Sequence, residues 1–210
     1  GTTRMTVDSG GNIGIGTTSP SVDLEVVGAD KDASLLISNT SSTAARIPAV
    51  GIANYDGTGE GGYPSLTMFN IRGTAAAPTA TQDNDILGTV VFGGFGTAAR
   101  AGAGIVSEAE GNFTVASTPG NLLLQTTPIG AVVPLTRMSI NQAGTVGIGT
   151  LSPTTGTILD IAGTGAGGST IMLPRDTTAN RPVLGVNGMI RYNTTTNKFE
   201  GYEGGAWTNL

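Results

Sequence analysis

Glu108 and Glu110 stand two apart in the run IVSEAEGN, so on an extended strand their carboxyl groups share one face. Glycoside hydrolysis needs two carboxylates across a sugar bond, one acting as acid and the other as base or nucleophile. Nothing in the surrounding sequence supplies an aromatic pocket to desolvate either group, and the simpler reading is a polar strand exterior. Asp83, Asn84 and Asp85 offer oxygen ligands of the kind a hard cation takes, yet Leu87 stands where a calcium loop needs its next oxygen. A solvated turn fits these three better. A metal held on a symmetry axis by three copies would leave no trace in a single-chain motif.

Two glycine-rich strings approach the dinucleotide fingerprint, Gly14 to Ser19 and Gly147 to Ser152. Both lack the third glycine, and no helix pattern follows to offer its N-terminus to a pyrophosphate. Gly165 to Thr170 lacks the lysine of a phosphate-binding loop and reads as linker. The chain has no histidine and no cysteine, which excludes a Ser-His-Asp triad, disulfides and thiolate chemistry. Tyr55, Tyr63 and Phe69 lie in a glycine-rich stretch where exposed rings could stack on sugars, but packing against the rest of the chain is preferred because aromatic residues are scarce. Trp207 reads as core of the C-terminal segment. Asn39, Asn112 and Asn193 open glycosylation sequons, matches that arise easily in a threonine-rich chain. The sequence therefore assigns no catalytic, cofactor-binding or metal-binding residue, and the expectation is a protein that is not an enzyme and carries no cofactor.

The elements that must position these residues are strands. Arg4 to Asp8 and Val22 to Val26 alternate apolar and polar side chains with a period of two, and no window shows a helical stripe. Further strands are expected at 88–92, 112–116, 121–125 and 189–192, each bounded by Gly, Pro or Asn. The end of the chain predicts a three-stranded antiparallel meander over 189–193, 198–203 and 206–210, with turns at 193–197 and Gly204-Gly205.

Composition sets what such strands can do alone. Charged residues make up 12%, the net charge is -5 and there are two lysines, which argues against nucleic acid and anionic membrane surfaces as partners. No stretch is long and apolar enough for membrane insertion. With 34 glycines and 5% aromatic residues the chain holds few large side chains for a thick core, so interlocked copies are expected rather than a compact monomer.

One string occurs twice. TRMTVDSGGNIGIGTTSP at 3–20 aligns without a gap to TRMSINQAGTVGIGTLSP at 136–153, and after two inserted residues Leu24, Val26 and Gly28 answer Leu159, Ile161 and Gly163. In each copy the isoleucine or valine side of the central strand is oily and the glycine side is bare. Glycine pairs in strands mark a bend or the close approach of another backbone, and a neighbouring chain is the economical candidate. Ser19-Pro20 and Ser152-Pro153 are expected to end the strand.

The doubled string, the middle segment IRGTAAAPTATQDNDILGTVVFGGFGTAARAGAGIVSEAEGNFTVASTPGNLLLQTTP and the ending LPRDTTANRPVLGVNGMIRYNTTTNKFEGYEGGAWTNL together resemble the shaft modules of bacteriophage tail fibres. The resemblance implies an all-β fold, an elongated homotrimer with interchain β-pairing in a β-helix-like or β-prism-like shaft. It implies a virion or otherwise extracellular protein whose partners are itself, other fibre or tail proteins, and a host surface glycan or outer-membrane receptor. An intramolecular chaperone domain is expected to begin beyond Leu210. The corresponding organisation is a first shaft repeat at 1–28, a β-rich middle segment at 29–135, a second repeat at 136–163, a Gly/Thr/Pro linker at 164–183 and a C-terminal meander at 184–210. The function implied is structural, with loops presented for adhesion to a bacterial surface. A bacterial or archaeal extracellular filament or adhesin built from the same modules is the alternative, followed by a polysaccharide-degrading tailspike.

Overall fold

The computed structural model describes residues 5–27, 66–74, 76–163 and 170–210, and these are all-β apart from one short 3₁₀ turn at Thr178–Asn180. The chain forms two compact units, Gly1–Thr67 and Met68–Leu210.

In the first unit β1 (Met5–Val7), β2 (Ile13–Ile15) and β3 (Leu24–Val26) form one sheet in that order. β1 and β2 are antiparallel, and β2 and β3 are parallel. Asp8 closes the first turn: its Oδ1 accepts the backbone N–H groups of Gly10 and Asn12 at 2.8 and 2.9 Å. These donors, Asn12 foremost, hold the Asp8 carboxyl below the usual carboxylate range.

The second unit opens with a small hairpin, β4 (Arg72–Thr74) and β5 (Ala77–Thr79). A six-stranded sheet follows, built from β6 (Ile86–Phe95), β7 (Ala99–Ala109), β8 (Gly120–Thr126), β9 (Leu135–Ile140), β10 (Val146–Ile148) and β11 (Leu159–Ile161). Neighbours in the chain are neighbours in the sheet, and only the β10–β11 pair is parallel. The last three strands reproduce the first unit's sheet, with Asn141 in the place of Asp8: its Oδ1 accepts the N–H groups of Ala143 and Thr145 at 3.0 and 2.9 Å. The sequence segments 29–135 and 136–163 thus contribute strands to one continuous sheet.

The C-terminal sheet comprises β12 (Arg175–Asp176), β13 (Ile190–Asn193), β14 (Lys198–Glu203) and β15 (Ala206–Asn209). The expected meander is present. Gly204 and Gly205 carry φ of 59° and 86°, the left-handed pair that a two-residue hairpin turn requires. Residues 175 and 176, read from sequence as linker, add a parallel edge strand to it.

One expected strand is absent. Residues 112–116 form no strand: Phe113 donates its amide to the Thr81 carbonyl and Thr114 to that of Ser117, so the alternating residues build a tight return between Gly111 and Pro119. The glycines of the repeat have a requirement within their own chain as well. A Cβ on Gly14 or Gly147 would stand 2.6 Å from the carbonyl oxygen of Thr17 or Thr150, which folds back beneath the strand. Gly16 and Gly149 have φ of 78° and 75° and end their strands there, ahead of the Ser-Pro pair.

Candidate interaction surfaces

The two faces of the six-stranded sheet differ in polarity and in cover. Register aligns Val90, Ile105, Leu124, Met138, Ile148 and Ile161 in a row, one residue from each strand. At the strand spacing of about 4.8 Å the row runs roughly 24 Å across the sheet. A second row on the same face joins Leu122, Ile140, Val146 and Leu159. The exposed members keep from 37% of their surface accessible at Val90 to 52% at Leu159. Their neighbours on the opposite face, Val106, Leu123 and Ser139, are all below a tenth. Alternation along the strands therefore leaves a broad aliphatic face bare while the smaller, more polar face is closed.

Residues 68–71 lie against one end of this bare face. Met68, Phe69, Ile71, Val90, Ile105 and Leu122 wall an apolar cavity of about 560 Å³, with Phe69 itself largely exposed. In the first unit the same geometry recurs: Met5, Ile15 and Val26 form one row, Val7, Ile13 and Leu24 another, and all but Ile13 are exposed.

The C-terminal sheet inverts the usual order of polar and apolar. On one face Glu200 and Asn193 are fully buried, joined by a 2.6 Å hydrogen bond from Asn193 Nδ2 to Glu200 Oε1. Arg181 pairs with both Glu200 oxygens and is the main cause holding that carboxyl below its ordinary range, with Asn193 adding to it. The opposite face carries Ile190, Tyr192, Phe199 and Leu210, and Ile190, Phe199 and Leu210 are each at least half exposed. Tyr192 and Phe199 meet edge to face at 5.2 Å.

No protein-family model and no curated protein sequence matches the chain. Among solved structures, the carboxy-terminal domain of the bacteriophage T5 L-shaped tail fibre is similar at 18% identity and a TM-score of 0.38, over 90% of this chain and 68% of that one. The same domain with its intra-molecular chaperone domain is similar at 19% identity and a TM-score of 0.37, over 83% of this chain and 36% of that one.

The residues singled out from sequence are dispersed. Arg72 grips Asp85 through Nε and Nη2 at 2.5 and 2.7 Å, and Gln82 adds a backbone N–H at 2.8 Å. Arg72 is the first cause lowering the Asp85 pKa to about 2. Asn84 sits in the left-handed region with φ of 65°, and the Asp83 amide donates to Asn112 Oδ1. The triplet is thus an ion-paired turn. Glu108 lies on β7, while Glu110 falls just beyond it and its Oε2 accepts the Gln142 amide at 2.8 Å, fastening the β9–β10 turn. Asn193 is too buried to carry a glycan. Trp207 packs edge to face on Tyr202 at 5.3 Å, as half-buried core. Tyr55, Tyr63, Asn39 and residues 165–169 lie outside the described residues. Sequence reasoning missed the Arg181–Glu200–Asn193 cluster and the carboxylates of Glu25 and Asp160. Each of these two accepts the backbone N–H and hydroxyl of one residue in the loop before its strand, Ser21 at 2.7 and 3.1 Å and Thr154 at 2.7 and 2.8 Å. Their matching acidic character in the two repeats was the available signal.

Proposed function

We propose that the chain is a structural shaft segment of a phage tail fibre, assembled as a homotrimer on the virion exterior, with outer loops that adhere to a bacterial surface. The bare aliphatic rows carry this reading. A face some 24 Å across, studded with half-exposed Ile, Leu and Val, has a strong drive to leave water, at about 25 cal/mol for each Å² removed. Three copies turning these faces to a common axis supply one another's missing core. The doubled module, with identical register in both copies, supports the reading because a shaft is lengthened by repeating one unit. The inverted C-terminal sheet supports it too, since a buried ionic cluster behind an exposed aromatic face is stable where that face is covered by a sister chain. In this reading the chain is structural and not an enzyme, and repeated weak contacts along the shaft add through avidity.

Sedimentation equilibrium tests the assembly. A particle of three times the 20.9 kDa chain mass is expected, and a folded monomer at micromolar concentration overturns it. Competition of the purified protein with virion adsorption tests the adhesive role.

A further inference from the structure

Arg191 is 5% exposed, and its Nη2 donates to the carbonyl oxygens of Asp176 and Thr177 at 2.5 and 3.0 Å. Its Nη1 has no partner among the described residues, and neither has the indole Nε1 of Trp207. The two groups are adjacent, with the guanidinium carbon 5.7 Å from the indole centroid. Together with Pro174, Arg175, Met189 and Ile190 they wall a cavity of about 420 Å³. Neither Arg175 nor Arg191 forms an ion pair among the described residues. The one carboxylate on the wall, Asp176, is already engaged through Oδ1 by the Thr177 amide at 2.7 Å and Asn180 Nδ2 at 3.0 Å.

We propose that this cavity binds a small organic carboxylate, specifically a sugar acid. Arg175 and Arg191 outnumber the one carboxylate on the wall, Asp176, while Glu200 behind Arg191 is already paired with Arg181, and two buried N–H donors lack acceptors. A carboxylate is an acceptor-only, planar group that answers both needs. The indole, Met189, Ile190 and Pro174 provide the apolar wall on which the C–H face of a sugar ring packs. A cavity of this volume accommodates a single sugar residue. Both nitrogens are screened from water, so the ligand seats as the indole or the guanidinium turns toward the cavity. Each donor that turns gains a buried hydrogen bond to the ligand, charge-assisted in the case of Arg191. The site rests on the adhesive reading and deepens it by naming a ligand class.

Trp207 is the sole tryptophan, so its indole N–H gives a single resonance that reports directly on the cavity. The full chain is titrated with glucuronate, with glucose and with sulfate. A saturable shift of the indole resonance with glucuronate alone is expected. Trp207→Phe, which keeps an aromatic ring but removes the pyrrole ring with its N–H, is expected to weaken glucuronate binding about tenfold as followed on backbone amides. An indole resonance that stays in place, or that moves equally with glucose, overturns the site. An equal response to sulfate reduces it to adventitious anion binding and overturns the sugar-acid assignment. Unchanged binding by Trp207→Phe overturns the role of the indole and with it the proposal. An unmoved indole in a protein that still blocks virion adsorption removes this site and leaves the adhesive function standing.

Discussion

The carbonyl oxygen of Thr150 lies 2.6 Å from where a Cβ on Gly147 would stand, and the same oxygen accepts the Ser139 hydroxyl at 3.0 Å. The strand and the loop after it are thus pressed together with no room for a methyl group. Gly147→Ala is expected to destabilise the second module by about 2 kcal/mol, because the obstacle is backbone that cannot rotate away. Gly149→Ala meets a different difficulty, the left-handed φ of 75°, at about 1 kcal/mol. Chemical denaturation of the two variants separates the contact from the conformational effect.

Leu123 and Leu124 are adjacent in β8 but point to opposite faces, one 5% and the other 39% exposed. Leu124→Lys places a charge in the middle of the bare aliphatic row and is expected to disrupt the proposed trimer while leaving the β-sheet circular dichroism intact. Leu123→Ala is expected to do the reverse, costing about 2–4 kcal/mol in stability without changing the assembly state at low temperature. Sedimentation and denaturation of the pair distinguish an interface from a core.

Much of the fold was legible because short strands with a period of two announce themselves. Met5–Val7, Leu24–Val26 and the C-terminal meander all fall where alternation and turn residues put them. β7 was harder, since Ala99 to Gly104 offers no apolar period and is a strand through its pairing with β6 and β8. Residues 112–116 alternate but lack a partner strand, and local pattern cannot report that. The repeat showed which side of β10 is oily, yet not what lies on its bare side; Thr150, three residues on, closes it. The Asn193–Glu200 hydrogen bond depends on the register of β13 with β14, and the cavity beside Trp207 on the path of residues 174–182, neither of which is written in any one stretch.

Arg72 and Asp85 tie the β4–β5 hairpin to the start of β6, and the pair predicts a pH effect of defined sign. The Asp85 pKa is lowered from 3.8 to about 2 in the folded chain, so its contribution is complete above the unfolded value and is lost as pH falls from about 4 through about 2. Arg72 is half exposed, so added salt weakens the effect. The protection of the amides of residues 72–74, 77 and 79, corrected for intrinsic exchange at each pH, is expected to fall over that acid range in the native protein, and Asp85→Asn is expected to show the lowered protection already at neutral pH.

Glu200 is the most deeply buried charge among the described residues, held by Arg181, by Asn193 and, across the strand pair, by the field of Arg191. Glu200→Gln keeps the shape and leaves Arg181 without its counter-charge, which is expected to lower the melting temperature of the terminal sheet by roughly 5–10 °C. Because the folded carboxyl is depressed below its ordinary range, the native protein retains this contribution above that range and loses it as pH falls below it, whereas the Gln variant has no such acid limb. Adding Arg181→Met to Glu200→Gln removes the stranded cation and is expected to restore part of the lost stability. The fluorescence of Trp207, on the neighbouring strand, follows all three melts. A Glu200→Gln protein that melts with the native one, at pH 7 and at pH 3 alike, would show that the terminal sheet is held by its aromatic face alone.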